Sequence, residues 1–286
     1  HHRNITAIQA GRILINWLSR LPKEFHQPLV TLIEAHEVMR KNELDNFVNK
    51  VKDLDAAGEN LFLIKKVEDF NGTHRILYRD NGIGRDIASF TPVSLDSNCK
   101  EVTLVTDVII TGSQILRALG YYIEGGNFQP RSNHFECTEE QHEKLLKLFS
   151  GVDVINICTV LYTFGAIEKV QQELRRMLNN EITLKIVNGR DISSNAFFGS
   201  TTNISESNKV SIRKLLRNPK RLSSLFDHLS YQGKPMSFNS DSEIDEMNLV
   251  ARYCSLPKKS FDFLRSGLKS DPNCKPLNRV LELTDK

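Results

Sequence analysis

The chain has few of the residues that would commit it to a covalent or metal-built framework. Its 286 residues include five cysteines, at Cys99, Cys137, Cys158, Cys254 and Cys274, and none forms a Cys-x-x-Cys pair. An odd, scattered set argues against a disulfide frame or a zinc site and points to reduced thiols in a cytoplasmic protein. His36-Glu37 has no second histidine at the spacing of a zinc-protease helix, so we expect a surface pair and no metal held by protein side chains. No apolar run approaches the roughly 20 residues needed to cross a bilayer, and no signal peptide is visible, so no membrane partner is expected. The net charge of +3 selects no class of partner by itself. No internal repeat is present. His1-His2 reads as the remnant of an expression tag, which leaves the true N-terminus open; the oligomeric state is not fixed by any feature of the sequence.

What remains is ordinary globular material, 40% hydrophobic and 26% charged. Ile13, Leu14, Trp17, Leu18 and Leu21 recur at helical spacing before Pro22. A second helical region runs from about Pro28 to Leu54. Leu61–Ile64 suits a short strand, and His74–Tyr78 after Asn71-Gly72 suits a hairpin. Asp80 to Cys99 reads as a long loop with at most a short strand at Ser89–Pro92. From residue 100 strands and helices alternate: a strand at Val102–Val105, a helix over Ser113–Tyr121 and a capping box at Thr138 that opens a helix to Phe149. A strand at Val154–Tyr162, a helix at Gly165–Leu178 and a strand at Ile182–Val187 follow. That order predicts a parallel sheet with flanking helices. Residues 193–207 are rich in Ser, Thr and Asn and read as an excursion or lid. Helical pieces broken by prolines complete the chain. We expect an α/β core with N-terminal helices over 1–204 and a mostly helical extension over 205–286, packed on that core.

The stretch from Glu101 to Leu116 carries the most chemistry. A near-continuous apolar run suits a strand buried on both faces. Asp107 falls where that strand should end, and ligands of open α/β sheets bind at the carboxyl ends of strands. Thr111-Gly112-Ser113 then offers backbone N–H groups, two hydroxyls and a helix N-terminus, which together suit a phosphate. An acid that accepts from hydroxyls beside a phosphate cradle suits a sugar phosphate. The competing role for Asp107 is a cap on the next turn.

This strand–acid–loop–helix order resembles the phosphoribosyl-diphosphate motif of type I phosphoribosyltransferases. The apolar positions are Val102, Thr103, Leu104 and Val105; the acid pair is Thr106-Asp107; the loop is Ile110-Thr111-Gly112-Ser113-Gln114. Thr106 stands where the family has its first acid, and Ile110 where a threonine is usual. The resemblance implies a phosphoribosyltransferase-like α/β fold that binds phosphoribosyl diphosphate or a nucleotide. It gives Asp107 the catalytic role, and Thr106, Asp107, Ile110, Thr111, Gly112, Ser113 and Gln114 the ribose and phosphate contacts. It also implies Mg²⁺ bridged by substrate oxygens. The family holds the diphosphate on a second loop near the first core strand, for which Lys65-Lys66 are the nearest residues, and Arg190 follows the third strand. Each has a solvated or ion-paired alternative.

Toward the C-terminus, Lys209, Arg213, Arg217 and Arg221 recur every four residues. They form either a solvated face or a stripe that tracks nucleic-acid phosphates or an acidic partner. Arg252-Tyr253-Cys254-Ser255-Leu256-Pro257 and Lys275-Pro276-Leu277-Asn278-Arg279 resemble the tail of phosphoribosyltransferase-like domains found in bacterial conflict systems. That resemblance implies an anti-phage effector of retron type, working with a reverse transcriptase and its nucleic acid. Two functions follow: transferase or nucleotide-cleaving enzyme, and inactive nucleotide sensor that docks on a partner.

Overall fold

The computed structural model describes residues 7–58, 61–63, 76–77, 81, 99–124, 139–200, 203–225, 230–231, 234–235, 238, 240–251 and 261. The chain folds as two compact units. One joins residues 1–41 to 194–286, and the other spans 42–193. The structure thus divides the chain elsewhere than at residue 204. Trp17, Leu21, Phe25, Leu29 and Leu32 share a hydrophobic core with residues of the C-terminal part, among them Phe198, Ile212 and Leu249.

The first unit begins with α1 (Ala7–Ser19), in which Trp17 is wholly buried, and continues past Pro22 through a 3₁₀ turn (Lys23–Phe25) into α2 (His26–Glu34). The single helix expected from Pro28 to Leu54 is interrupted after α2 by β1 (Glu37–Val38). The interruption carries no glycine or proline; it is made by side-chain and long-range hydrogen bonds. His36 Nδ1 donates to the Leu32 carbonyl (2.7 Å), an acceptor a continuing helix would need, and the Glu37 N–H is taken by Leu249 O (2.7 Å). His36 is therefore buried and not a surface residue. Burial pushes its pKa down to about 4, against the weaker opposing effect of the Leu32 bond. The Glu37 carboxylate accepts from Asn195 Nδ2 at 2.9 Å.

The α/β unit opens with α3 (Lys41–Ala56), which buries Phe47, Val48 and Val51. Its strands β2 (Leu61–Leu63), β3 (Glu101–Val105), β4 (Val108–Ile109), β5 (Val154–Tyr162) and β6 (Thr183–Asp191) make one parallel sheet. β2 pairs with β3; β3 and β4 both lie along one side of β5; β6 pairs with its other side. Helices α4 (Ser113–Glu124), α5 (Glu139–Gly151) and α6 (Phe164–Leu178) supply the apolar cover. Ile115, Leu119, Leu145, Phe149, Val170 and Leu174 pack with Val102, Leu104, Ile155 and Ile157 of the strands. Each such side chain, fully withdrawn from water, contributes about 1.5–3 kcal/mol.

β6 runs four residues further than the apolar pattern allowed and takes in Asn188-Gly189-Arg190-Asp191. As the outer neighbour of β5 it alternates between exposed and half-buried residues, so its polar end reads as a loop in sequence. Its register against β5 shifts between Ile157 and Leu161, and Gly189 there adopts φ +131°. A Cβ at Gly189 would stand 2.8 Å from Thr159 Cγ2, so only glycine fits the irregularity. Ile76 and Leu77, within the expected hairpin, are buried in a helical turn; the rest of that hairpin and the Ser89–Pro92 strand lie outside the described residues.

The first unit resumes after Ser193. Residues 194–200 are held down and do not form a lid: Ala196 and Phe198 are fully buried, and Phe197 bridges Asn248. Ser205 Oγ accepts from Asn208 N and caps α7 (Glu206–Leu216), which packs against α2. Then come α8 (Pro219–Leu225), the antiparallel pair β7 (Ser230–Tyr231) and β8 (Lys234–Pro235), α9 (Asp241–Asp245) and β9 (Val250–Ala251). β9 pairs in parallel with β1 and joins the two sequence segments of this unit. Trp17, Phe25, Leu29, Leu32, Phe198, Ile212, Leu216, Ile244, Leu249 and Phe261 form the common core. Among the described residues, no helix is long and apolar enough to cross a membrane.

Candidate functional site

The segment between β4 and α4 is built as a tight, fixed loop. β4 ends at Ile109, whose carbonyl accepts from Thr163 N (2.9 Å), and the next carbonyl, of Ile110, accepts from Thr163 Oγ1 (2.7 Å). Thr163 is also the N-cap of α6, so one buried side chain holds the loop to the neighbouring strand–helix junction. Gly112 takes φ +67°, and its carbonyl receives the first α4 bond from Leu116 N (3.0 Å). A Cβ on Gly112 would stand 2.7 Å from Val170 Cγ2 and 3.0 Å from Ala166 O. The loop must therefore be glycine both for its left-handed backbone and for its contact with α6.

Above that buried underside, Thr111 is exposed and Ser113 partly so, with the Thr111 hydroxyl donating to Ser113 Oγ at 3.1 Å. The two hydroxyls share one patch at the positive end of α4, the arrangement that attracts an anion. Gln114 is exposed beside them, whereas the Ile110 side chain is buried and only its backbone belongs to the loop.

Thr106 and Asp107 sit differently from expectation. Asp107 does not end the strand; it lies in the break between β3 and β4, and the chain returns to the sheet for Val108 and Ile109. Thr106 N donates to Cys158 O (3.1 Å), and the Asp107 carbonyl accepts from Val160 N (3.0 Å) and Thr159 Oγ1 (3.1 Å). Thr106 is 1% exposed and Asp107 2%. Both residues of the acid pair are thus built into the sheet, and the Thr106 hydroxyl is buried without a hydrogen-bond partner.

The same carboxyl edge holds residues that sequence reasoning passed over. Phe164, the first residue of α6, is 57% exposed although large and apolar. Its N–H donates to Ser193 Oγ (2.8 Å), and Ser193 donates in turn to Asp191 Oδ1. The available signal was an aromatic placed directly after the helix-capping threonine at the end of a buried strand. Arg190 is bound by the α3 carboxylate of Glu43, with both side chains largely shielded from water. Lys65 and Lys66 lie outside the described residues, as do both tail motifs.

The basic row does not form an exposed stripe. Steps of four residues drift by about 40° per step around a helix, so the row winds from the buried face outward. Lys209 is nearly buried and donates to Glu206 Oε1 (2.9 Å), which holds the Glu206 carboxyl below its usual pKa. Arg213 contacts Asp245 Oδ1 through Nε (3.0 Å) and Nη2 (2.8 Å). Arg217 pairs with Asp241 (3.4 Å) and Arg221 with Glu24 (2.6 Å). Three of these four acids come from outside the row's own sequence window.

Among the described residues, no group of three or more His, Cys, Asp or Glu side chains is placed to hold a metal. Compared with protein-family models, curated proteins and solved structures, the chain matches none.

Proposed function

We propose that the α/β unit is a phosphoribosyltransferase-like module that binds a ribose phosphate, as phosphoribosyl diphosphate or a nucleotide, through Thr111-Gly112-Ser113. The observation that carries this is the loop itself: a positive-φ glycine locked against α6, two linked hydroxyls above it and a helix N-terminus behind them, after a strand of a parallel sheet. A phosphate seated there accepts from the hydroxyls and the backbone N–H groups. Phe164 offers a ring face to a base at the same edge.

Two observations favour binding without turnover over a working transferase. Asp107 is built into the sheet, and Arg190 is already engaged by Glu43. Phosphoribosyl transfer passes through an oxocarbenium-like state and depends on positioned charge, so a site whose acid is withdrawn from solvent and whose cation is already paired is poorly equipped for it. A diphosphate ligand would bring Mg²⁺ with it, held by substrate oxygens and water, and the ion would offset the diphosphate's negative charge. A nucleotide sensor in a bacterial defence system is the role this assignment suits.

The test is mass spectrometry of products after incubation with Mg²⁺ and phosphoribosyl diphosphate or nucleotides. A sensor leaves the ligand intact. Turnover abolished by Asp107→Asn and by Ser113→Ala would instead establish the enzyme.

A further inference from the structure

The start of α6 links the loop to a second polar group at the same sheet edge. Thr163 Oγ1 holds the loop through the Ile110 carbonyl (2.7 Å), and the Ala166 carbonyl lies 3.0 Å from where a Cβ on Gly112 would stand. Phe164, between these two in sequence, donates its N–H to Ser193 Oγ (2.8 Å). Asp191 stands in register with Tyr162, two residues before Phe164. Its Oδ1 accepts from the Ser193 N–H (2.9 Å) and from the Ser193 hydroxyl. All of these residues belong to the α/β unit.

This patch suits a flat ring that carries hydrogen-bond donors. Phe164 is 57% exposed, and a Cβ at the next residue, Gly165, would meet nothing within 4 Å, so open space adjoins it. Asp191 and Ser193 are also exposed. Both bonds from Ser193 fall on Oδ1 and orient the carboxylate, while Oδ2 has no partner among the described residues. The neighbouring N–H groups are spent: Phe164 N on Ser193, Ser193 N on Asp191, and Ile192 N on Tyr162 O (2.8 Å). Beside an exposed ring the patch therefore presents a carboxylate oxygen, which accepts and does not donate.

We propose that this patch selects guanine as the base of a nucleotide whose phosphate sits in the Thr111-Gly112-Ser113 loop, an inference that rests on the loop assignment above. A purine stacks on the Phe164 ring. Guanine carries a ring N–H and an exocyclic amino group side by side, and both can donate to one carboxylate oxygen with its two lone pairs. Adenine places a ring-nitrogen lone pair next to its amino group, which repels the carboxylate. Hypoxanthine has the ring N–H without the amino group. Uracil flanks its N–H with two carbonyls that face the same negative charge. Selection arises as much from these repulsions as from the bonds guanine makes.

The experiment is isothermal titration of the whole chain with ribose 5-phosphate and with the 5′-monophosphates of guanosine, inosine and adenosine. The guanosine nucleotide should bind at least about tenfold more tightly than the other two, the effect of one hydrogen bond to a charged group. Asp191→Asn keeps the size and one acceptor but removes the charge, and should bring guanosine to the level of inosine. Phe164→Ala, at an exposed position, should weaken all three nucleotides by about tenfold and leave ribose 5-phosphate unchanged. Equal affinity for the three nucleotides, or a guanosine preference that survives Asp191→Asn, would overturn the base assignment while binding of ribose 5-phosphate leaves the loop assignment standing. Conversely, an Asp191-dependent guanosine preference that Thr111→Ala with Ser113→Ala does not weaken would uphold the base assignment and sink that of the loop. Absence of binding by all four ligands would overturn both.

Discussion

Replacing Gly112 by alanine should damage the loop and the α/β unit together. Alanine at φ +67° pays about 1–2 kcal/mol for a left-handed backbone. Its Cβ would also stand 2.7 Å from Val170 Cγ2 and 3.0 Å from a backbone oxygen of α6. Val170 is fully buried and β-branched, so it has no rotamer to escape into, and overpacking of this kind costs about 1–3 kcal/mol. The sum is about 3 kcal/mol, measured as the loss in unfolding free energy by denaturant titration. Val170→Ala in the same background removes one of the two contacts and leaves the Ala166 carbonyl in place. The double variant should therefore lose less than the two single losses added together, with a coupling of about 1 kcal/mol. A Gly112→Ala protein within about 0.5 kcal/mol of wild type, the range of an indifferent surface change, would refute the close contact between loop and α6.

Three further outcomes are expected. His36 is held near a pKa of about 4 in the folded state against 6.5 when solvated, so the unfolded chain binds its proton more readily. Its contribution is complete above pH 6.5 and lost as pH falls toward 4, at about 1.4 kcal/mol per unit and about 3 kcal/mol in all. Denaturant titrations across that window should show a slope shallower by that amount in His36→Leu; parallel curves would contradict the burial. Cys158, fully buried and with its thiol pushed up to about 12 by desolvation, should resist alkylation in native protein and react once it is unfolded. Arg213 and Asp245 should show a coupling of about 1 kcal/mol in a double-mutant cycle, discounted for their partial exposure.

The parallel sheet was readable because β3 and β5 are buried on both faces and their apolar runs leave no alternation to confuse. α6 was readable for the opposite reason, a clear stripe at Ile167, Val170 and Leu174. What escaped depends on distant partners. The end of α2 is set by a histidine side chain and by Leu249, more than 200 residues away, with no local stop signal. The polar end of β6 is strand because β5 lies beside it. The acids that meet Arg217 and Arg221 come from α9 and from the turn before α2, beyond any helical window. At the site, Gly112 and the hydroxyls were legible from the motif. The inward placement of Asp107 was not, because only pairing of Val108 and Ile109 with β5 shows that the strand continues past it.

The central claim is that Thr111-Gly112-Ser113 seats a ribose phosphate. Isothermal titration of ribose 5-phosphate and phosphoribosyl diphosphate into wild type and into Thr111→Ala with Ser113→Ala tests it most directly. Loss of two charge-assisted hydrogen bonds should weaken binding by at least about tenfold, with the fold intact by circular dichroism. Equal affinity in the two proteins, or no binding to wild type, would contradict it.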